Sequence, residues 1–538
     1  MRLHYVSPGR TVNVSKHRLI LGGGALVATF ALYSGFAYWA GIKAEETLAE
    51  QHRMIAQSPV FTIKSHSYQR GWFSSEETTE LELNKQLVGP YLALLPENLR
   101  PLFSGTLRYH HKVKHGLLPG LFDFDLRPAR AIVRTEFDMS EGTRKTLQRF
   151  FGDAEPITVI NRLGLTGGGE LTVTVPKFDY EETLAGVKMN WQGFNLKVDY
   201  RSGYREYNVE STTPGFVLQA GPKGRFAFDG IKYQSEIRPG ATGVKLGTSA
   251  LSVDDIKLNW NEAIPYSIKL NELIYLVSRV RVGEFINPSG EFRPSRVELS
   301  KLAYQIVTSE QDEYVNTRGK LDFDRFAYND SVYGPLKLDV SANHLHGPTL
   351  VKLDAALSKL PFEGKDPSLL RKRYIDTIMQ QGLPLLKNDP KLLLNTFYLR
   401  MPNGEVKANG SLALAGLQDA DMKDPISFLK RFNAQASIEL PEQTLQNLVV
   451  AQARNLFTVD ASAEEQPNMA EVESLAKSLL AAQLGEWEQQ HLIKRNGGQL
   501  ATSLHFASGE LRVNQQKVNL PWQESDEPAP DAAASAAK

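Results

Sequence analysis

Between Leu19 and Ala40 the chain carries an uncharged run, LILGGGALVATFALYSGFAYWA, and residues 1–18 before it hold Arg2, Arg10, Lys16 and Arg18 with no acid. A helix rises about 1.5 Å per residue and a bilayer core is roughly 30 Å thick, so about 20 apolar residues suffice to cross it. Basic residues are retained on the cytoplasmic side, which predicts a cytoplasmic segment over 1–18, a transmembrane helix over 19–40 and the remaining body outside. A cleaved secretory signal is the rival reading. Its apolar region spans only about 7–15 residues and ends in small side chains, whereas this run ends in Tyr38-Trp39-Ala40. Tyr33, Phe36, Tyr38 and Trp39 read as an interfacial aromatic belt.

Charge excludes one class of partner. Four of the 61 basic residues lie in residues 1–18, so the rest carries 57 basic against 61 acidic, a formal −4. With no basic surplus and no Lys/Arg block, a nucleic-acid partner is not expected. The chain has no cysteine, which removes disulfides, thiol catalysis and zinc-thiolate sites together. Stability must come from a core, and 42% apolar residues in 538 can supply one.

After the apolar run, KAEETLAEQHRMIAQS reads as a polar helix ending before Pro59, a stalk over 41–59. Over 60–360 the period becomes two. Leu171, Val173 and Val175 alternate with Thr172 and Thr174; Phe194, Leu196, Val198 and Tyr200 alternate with polar residues; Leu336, Leu338 and Val340 do the same. Alternation of this kind predicts antiparallel sheet with one face on a core. A loose phrase of Gly, polar residue and apolar residue opens many of these runs, as at Gly169-Glu170-Leu171 and Gly319-Lys320-Leu321, which is hairpin grammar. Helices are expected at Lys85–Glu97, Ser140–Phe151 and Asn271–Arg279.

The region 361–523 turns helical, with helices at Ser368–Gln380, Asp421–Phe432, Pro441–Phe457 and Met469–His491. In the last, Val472, Leu475, Leu479 and Ala482 form the packing stripe, widened by Leu480, Leu484 and Trp487. Two strands, Gln499–Phe506 and Glu510–Val518, close the chain, and the tail over 524–538 is too poor in large apolar groups to fold. The expected fold class is α+β: a single N-terminal transmembrane helix, a long antiparallel β-rich periplasmic body, and a helical C-terminal third closed by a β-hairpin.

The segment Ser67-Tyr68-Gln69-Arg70-Gly71-Trp72-Phe73-Ser74-Ser75, with the helix around Glu471–Gln490 and the terminal Leu504-His505-Phe506 and Gly509-Glu510-Leu511-Arg512-Val513-Asn514, resembles the YdgA family of Gram-negative bacteria. The resemblance implies a single-pass inner-membrane protein with its N-terminus cytoplasmic and its body periplasmic, of unknown function. It supplies no catalytic residues. It marks Tyr68, Arg70, Gly71, Trp72, Phe73 and Ser74 as a family motif, in which Tyr and Trp rings flanking Arg70 could form a cation–π ladder or simply pack against its stem.

No chemical constellation is complete. His110, His111 and His115 are the densest histidines, but on a strand His111 and His115 stand about 13 Å apart. His344 and His346 share a face and lack a third ligand, so no metal is expected. Gly167-Gly168-Gly169 opens a strand without a following Lys-Ser/Thr and reads as a turn. Ser427 and Lys430 satisfy Ser-x-x-Lys with no companion elements. Asp254-Asp255 and Glu76-Glu77 point to opposite strand faces. The expectation is a non-enzymatic, anchored protein without cofactor, whose long sheet offers a surface for acyl chains or envelope proteins. An envelope hydrolase with an unrecognised site and a purely structural interaction module are the alternatives.

Overall fold

The computed structural model describes residues 16–57, 61–84, 106–183, 186–261, 295–358, 367–456 and 468–520, and the side chains of its first helix from Phe30 onward. The helices expected at 85–97 and 271–279, most of the 1–18 segment and the 524–538 tail lie outside the described residues.

Helix α1 (Lys16–Gln57) leads into a meander of β1 (Phe61–Arg70), β2 (Ser74–Leu83), β3 (Thr106–His115) and β4 (Ala131–Asp138), each antiparallel to the last. Helix α2 (Glu141–Phe151) follows, its first turn capped by the Ser140 hydroxyl on the Thr143 amide. Then come β5 (Thr158–Leu163), β6 (Gly169–Val175), the hairpin of β7 (Phe178–Glu182) and β8 (Val187–Trp191), β9 (Phe194–Tyr200) and β10 (Tyr207–Ala220). β6 pairs with β9, and β10 takes β9 along one stretch and β8 along the other.

The sheet continues through the long strands β11 (Gly224–Pro239), β12 (Lys245–Trp260), β13 (Ser295–Gln311) and β14 (Tyr314–Phe323). The short hairpin β15 (Arg325–Tyr328) and β16 (Ser331–Tyr333) docks on β13, while β17 (Leu336–His346) pairs with β14. Helices α3 (Gly347–Ser358) and α4 (Pro367–Leu386) interrupt before β18 (Lys391–Met401) and β19 (Gly404–Leu414). Helix α5 (Pro425–Lys430) leads to β20 (Phe432–Pro441), and helices α6 (Glu442–Leu456) and α7 (Met469–Gln489) to β21 (Lys494–Asn496), β22 (Gln499–Ala507), β23 (Glu510–Val513) and β24 (Gln516–Val518). All 24 strands described belong to one antiparallel sheet.

Directly opposed residues point to the same side of a sheet, so register shows which residues share a face. One row runs from Ser75 through Val113, Val133, Asn161, Leu171, Val198, Val209, Ser235, Ser249, Ile306, Gly319, Val340, Leu394, Gly410 and Ala436 to Leu504 without losing alignment. A single face therefore extends from β2 to β22. At its beginning, Val113, Val133 and Leu163 bury against Ala44 and Leu48 of α1.

That packing corrects the expected anchor. Among the described residues no helix is long and apolar enough to cross a membrane. From Phe30 onward α1 lies against β1, β3 and β4 of the sheet. Its small-residue stripe Ala37, Ala40 and Ala44 is fully covered by protein. The aromatic belt is likewise partnered within the chain: Tyr33 stacks on Phe73, Tyr38 on Trp72, and Arg130 lies over Trp39 at 5.9 Å. The expected single-pass inner-membrane anchoring is overturned with the span, and the segment over 41–57 lies along the sheet as the second half of α1.

The C-terminal third differs as well. It carries three long strands, β18 to β20, where helices had been expected to dominate, because LLLNTFYL places apolar residues on both faces and hides its period. In α7 the buried stripe is Ala476, Leu480 and Leu484, packed with Leu500 and Leu445, while Leu475 and Leu479 face solvent. Of the expected stripe, the widening residues Leu480 and Leu484 are its buried centre, and Leu475 and Leu479 lie outside it. The expected final strand over 510–518 divides into β23 and β24 around a turn with Asn514 and Gln515 at positive φ.

Candidate functional site

Among the described residues nothing covers the shared face between β13 and β20, which forms a groove of about 880 Å³. Six strands at about 4.8 Å spacing make it roughly 24 Å across the strands. Small residues form its floor: Gly319, Gly410, Ala408 and Ala436. Taller apolar side chains stand beside them, including Leu338, Val340, Leu392, Leu412 and Ile438. These are not tucked away, since Leu392 is 50% and Val340 40% exposed. A contiguous exposed apolar surface of this kind marks an interaction site, and its volume falls within the usual range of small-molecule sites. Among its lining residues only Lys320 and Tyr304 titrate.

Glycine is required at one place on that floor. A Cβ at Gly410 would stand 2.6 Å from the Gln435 carbonyl oxygen and 3.3 Å from Ala436 Cα, both backbone. At Gly319 it would meet only Val340 Cγ2, at 3.6 Å. The first glycine lets strands approach; the second leaves space in the groove.

At the other end of the sheet a polar cluster sits under α1. The buried stripe of the helix, Ala37, Ala40, Ala44 and Leu48, ends one turn later in His52. The His52 and His66 rings lie 3.8 Å apart, His66 Nδ1 is 3.1 Å from Thr79 Oγ1 and 3.5 Å from Glu77 Oε1, and Glu77 is paired in register with His111. Burial pushes the Glu77 carboxyl up to about 7, and burial with the neighbouring His66 pushes His111 down to about 4. His52 and His66 are lowered too, chiefly by burial. Composition and spacing missed this cluster, because His52, His66 and Glu77 belong to a helix and two strands and meet only through the docking of α1. The signal available was His52 at four-residue spacing from Leu48.

The histidines weighed from sequence have separate partners. His110 bonds Thr78 and Asp138 on the opposite face; His111 Nδ1 is 3.0 Å from Thr135 Oγ1. His115 is structural: its Nδ1 donates to the Ala37 carbonyl at 2.8 Å and its Nε2 meets Ser75 Oγ at 3.1 Å. Gly41 exists for that contact, since a Cβ there would lie 2.7 Å from the His115 ring. His344 stacks on Tyr314 and donates to the Asn388 carbonyl, whereas His346 bonds Thr349. Ser427 bonds the Asp424 cap of α5, Gly167 holds a turn at φ 96°, and Asp254 and Asp255 engage Lys301 and Ser300.

The segment expected to be a family motif, Tyr68 to Ser74, clamps α1 to the sheet. The cation–π partner of Arg70 is Tyr38 of the helix, at 5.3 Å, and Arg70 Nη1 is 2.7 Å from Glu45 Oε2. Trp72 and Phe73 cover the same helix, Tyr68 packs against the α1 core, the Gly71 amide donates to the Ser74 carbonyl at 2.9 Å, and Ser74 begins β2.

Residues 16–521 match the family described as "Bacterial protein of unknown function (DUF945)". The chain is also similar to Protein YdgA of Escherichia coli (strain K12), with 22% identity over 525 residues, covering 94% of this chain and 95% of that protein.

Proposed function

The chain belongs to the bacterial family of unknown function DUF945, and from the geometry of its sheet we propose that it binds elongated apolar ligands, acyl chains foremost, in the groove between β13 and β20. The observation that carries this reading is the register-continuous apolar face from Ile306 to Ile438, left open among the described residues. Burying apolar surface there contributes roughly 25 cal/mol per Å², and a flexible chain can lie along a groove that holds no fixed polar pattern. A binding role is supported by the lining, which is mostly Leu, Val, Ile, Ala and Gly.

Purified protein titrated with cis-parinaric acid tests the reading. Saturable fluorescence enhancement, reversed by palmitate and lost in Leu392→Glu and Gly319→Trp, supports it. Absence of saturable binding, or binding unchanged in both variants, overturns it.

A further inference from the structure

We propose that His52, His66 and Glu77 form a binding site for one divalent transition-metal ion, zinc by its donor set, which ties α1 to β1 and β2. One ring nitrogen of each imidazole and one carboxylate oxygen of Glu77 all lie within 4.8 Å of one another. Donors of a tetrahedral zinc site stand roughly 3.4 Å apart, given bonds of about 2.0–2.1 Å. Side-chain movements of about 1 Å close the difference.

The second observation is an unmet need. Glu77 is only 2% exposed, and its Oε2 has no hydrogen-bond partner; His52 Nδ1 is buried without one as well. Buried polar atoms are nearly always satisfied, and those that are not call for an explanation such as an ion. A single cation placed among the three residues would satisfy both atoms at once. Two imidazoles and one carboxylate form a set suited to zinc, with a fourth position left for water.

The surroundings fit the duties of an outer shell. Thr79, fully buried, bonds His66 Nδ1 at 3.1 Å and fixes that ring. His66 remains 30% exposed along one edge, which gives an ion a way in. Since the three donors come from α1, β1 and β2, the ion adds a tie between the helix and the sheet to those of Arg70, Trp72 and Phe73.

The test uses the full chain, stripped with EDTA and titrated with Zn²⁺ alone by calorimetry, and with Co²⁺ for its visible bands. One equivalent should bind, raise the thermal midpoint, and give the intense spectrum of a tetrahedral Co²⁺ site. His66→Ala and Glu77→Gln should each weaken binding about 100-fold or more, and Thr79→Val about 10-fold, while His344→Ala leaves it unchanged. His52→Ala, which removes a helix side chain without orphaning a strand partner, should also lose the ion and keep the wild-type circular dichroism. No stoichiometric binding, or binding retained within threefold in both His52→Ala and His66→Ala, overturns the proposal.

Discussion

Ser235 and Ser249 face each other across β11 and β12 and share a hydrogen bond of 2.7 Å. They form a polar rung midway along the row that joins the part of the sheet under α1 to the open apolar groove. The pair gives a clean double-mutant cycle. Ser249→Val should cost about 1–3 kcal/mol, because the buried Ser235 hydroxyl loses its partner. The double replacement by Val should recover most of that loss, since no polar group is then left unpaired. Urea denaturation of the four proteins measures the coupling; strictly additive losses would contradict it.

The docking of α1 predicts a large penalty at Leu48, which is 2% exposed and packs with Val113 and Val133. Leu48→Ala should destabilise by about 2–5 kcal/mol through the cavity it leaves. Gly41→Ala should loosen the same contact, since its methyl would strike the His115 ring. Amide hydrogen exchange along residues 33–57 is the readout, with faster exchange expected in both variants.

Two groove glycines should behave oppositely. Gly410→Val forces a side chain against the Gln435 carbonyl and should lower the thermal midpoint by several degrees. At Gly319 an added Cβ meets only Val340, at 3.6 Å, so Gly319→Trp should leave the midpoint within about 2 °C while occupying ligand space. A thermal scan of both variants decides the point, and equal destabilisation would contradict the assignment of their roles.

Acid should selectively loosen the junction of β14 and β17. Arg318 reaches Asp339 with Nε to Oδ1 at 2.9 Å and Nη2 to Oδ2 at 2.5 Å, and Asn395 adds a third bond. The Arg318 bonds hold the Asp339 carboxyl below its ordinary range. Because the folded value is depressed, this stabilisation is present above the unfolded value of about 3.9 and is lost as pH falls through the folded one. Wild type should be more stable than Arg318→Gln at pH 7, with the gap closing below about pH 4. A constant gap across that range would contradict the account.

Much of the sheet was legible because strands with one buried face advertise it. Leu171, Val173 and Val175 are such a run, and so is Phe194 to Tyr200; both became strands. The helix expected over Ser140–Phe151 became α2, with Ser140 as its cap. Strand β18 was not legible, since Leu392, Leu393 and Leu394 occupy both faces and the pairing with β17 slips by a bulge. The run over 19–40 misled for a different reason: small residues such as Ala37 and Ala40 suit a helix face covered by protein as well as one covered by lipid, and only tertiary partners such as His115 on Ala37 and Trp72 on Tyr38 distinguish them. The cluster of His52, His66 and Glu77 could not be read from spacing, because tertiary docking alone brings them together.

The groove claim meets its most direct test in crystals of the protein grown with a terminally brominated fatty acid, where the bromine's anomalous signal reports position. The account predicts a peak between β13 and β20, within contact of the face carrying Val340, Leu392 and Leu412. A peak confined to the α1 end of the sheet, or none at saturating ligand, would contradict it.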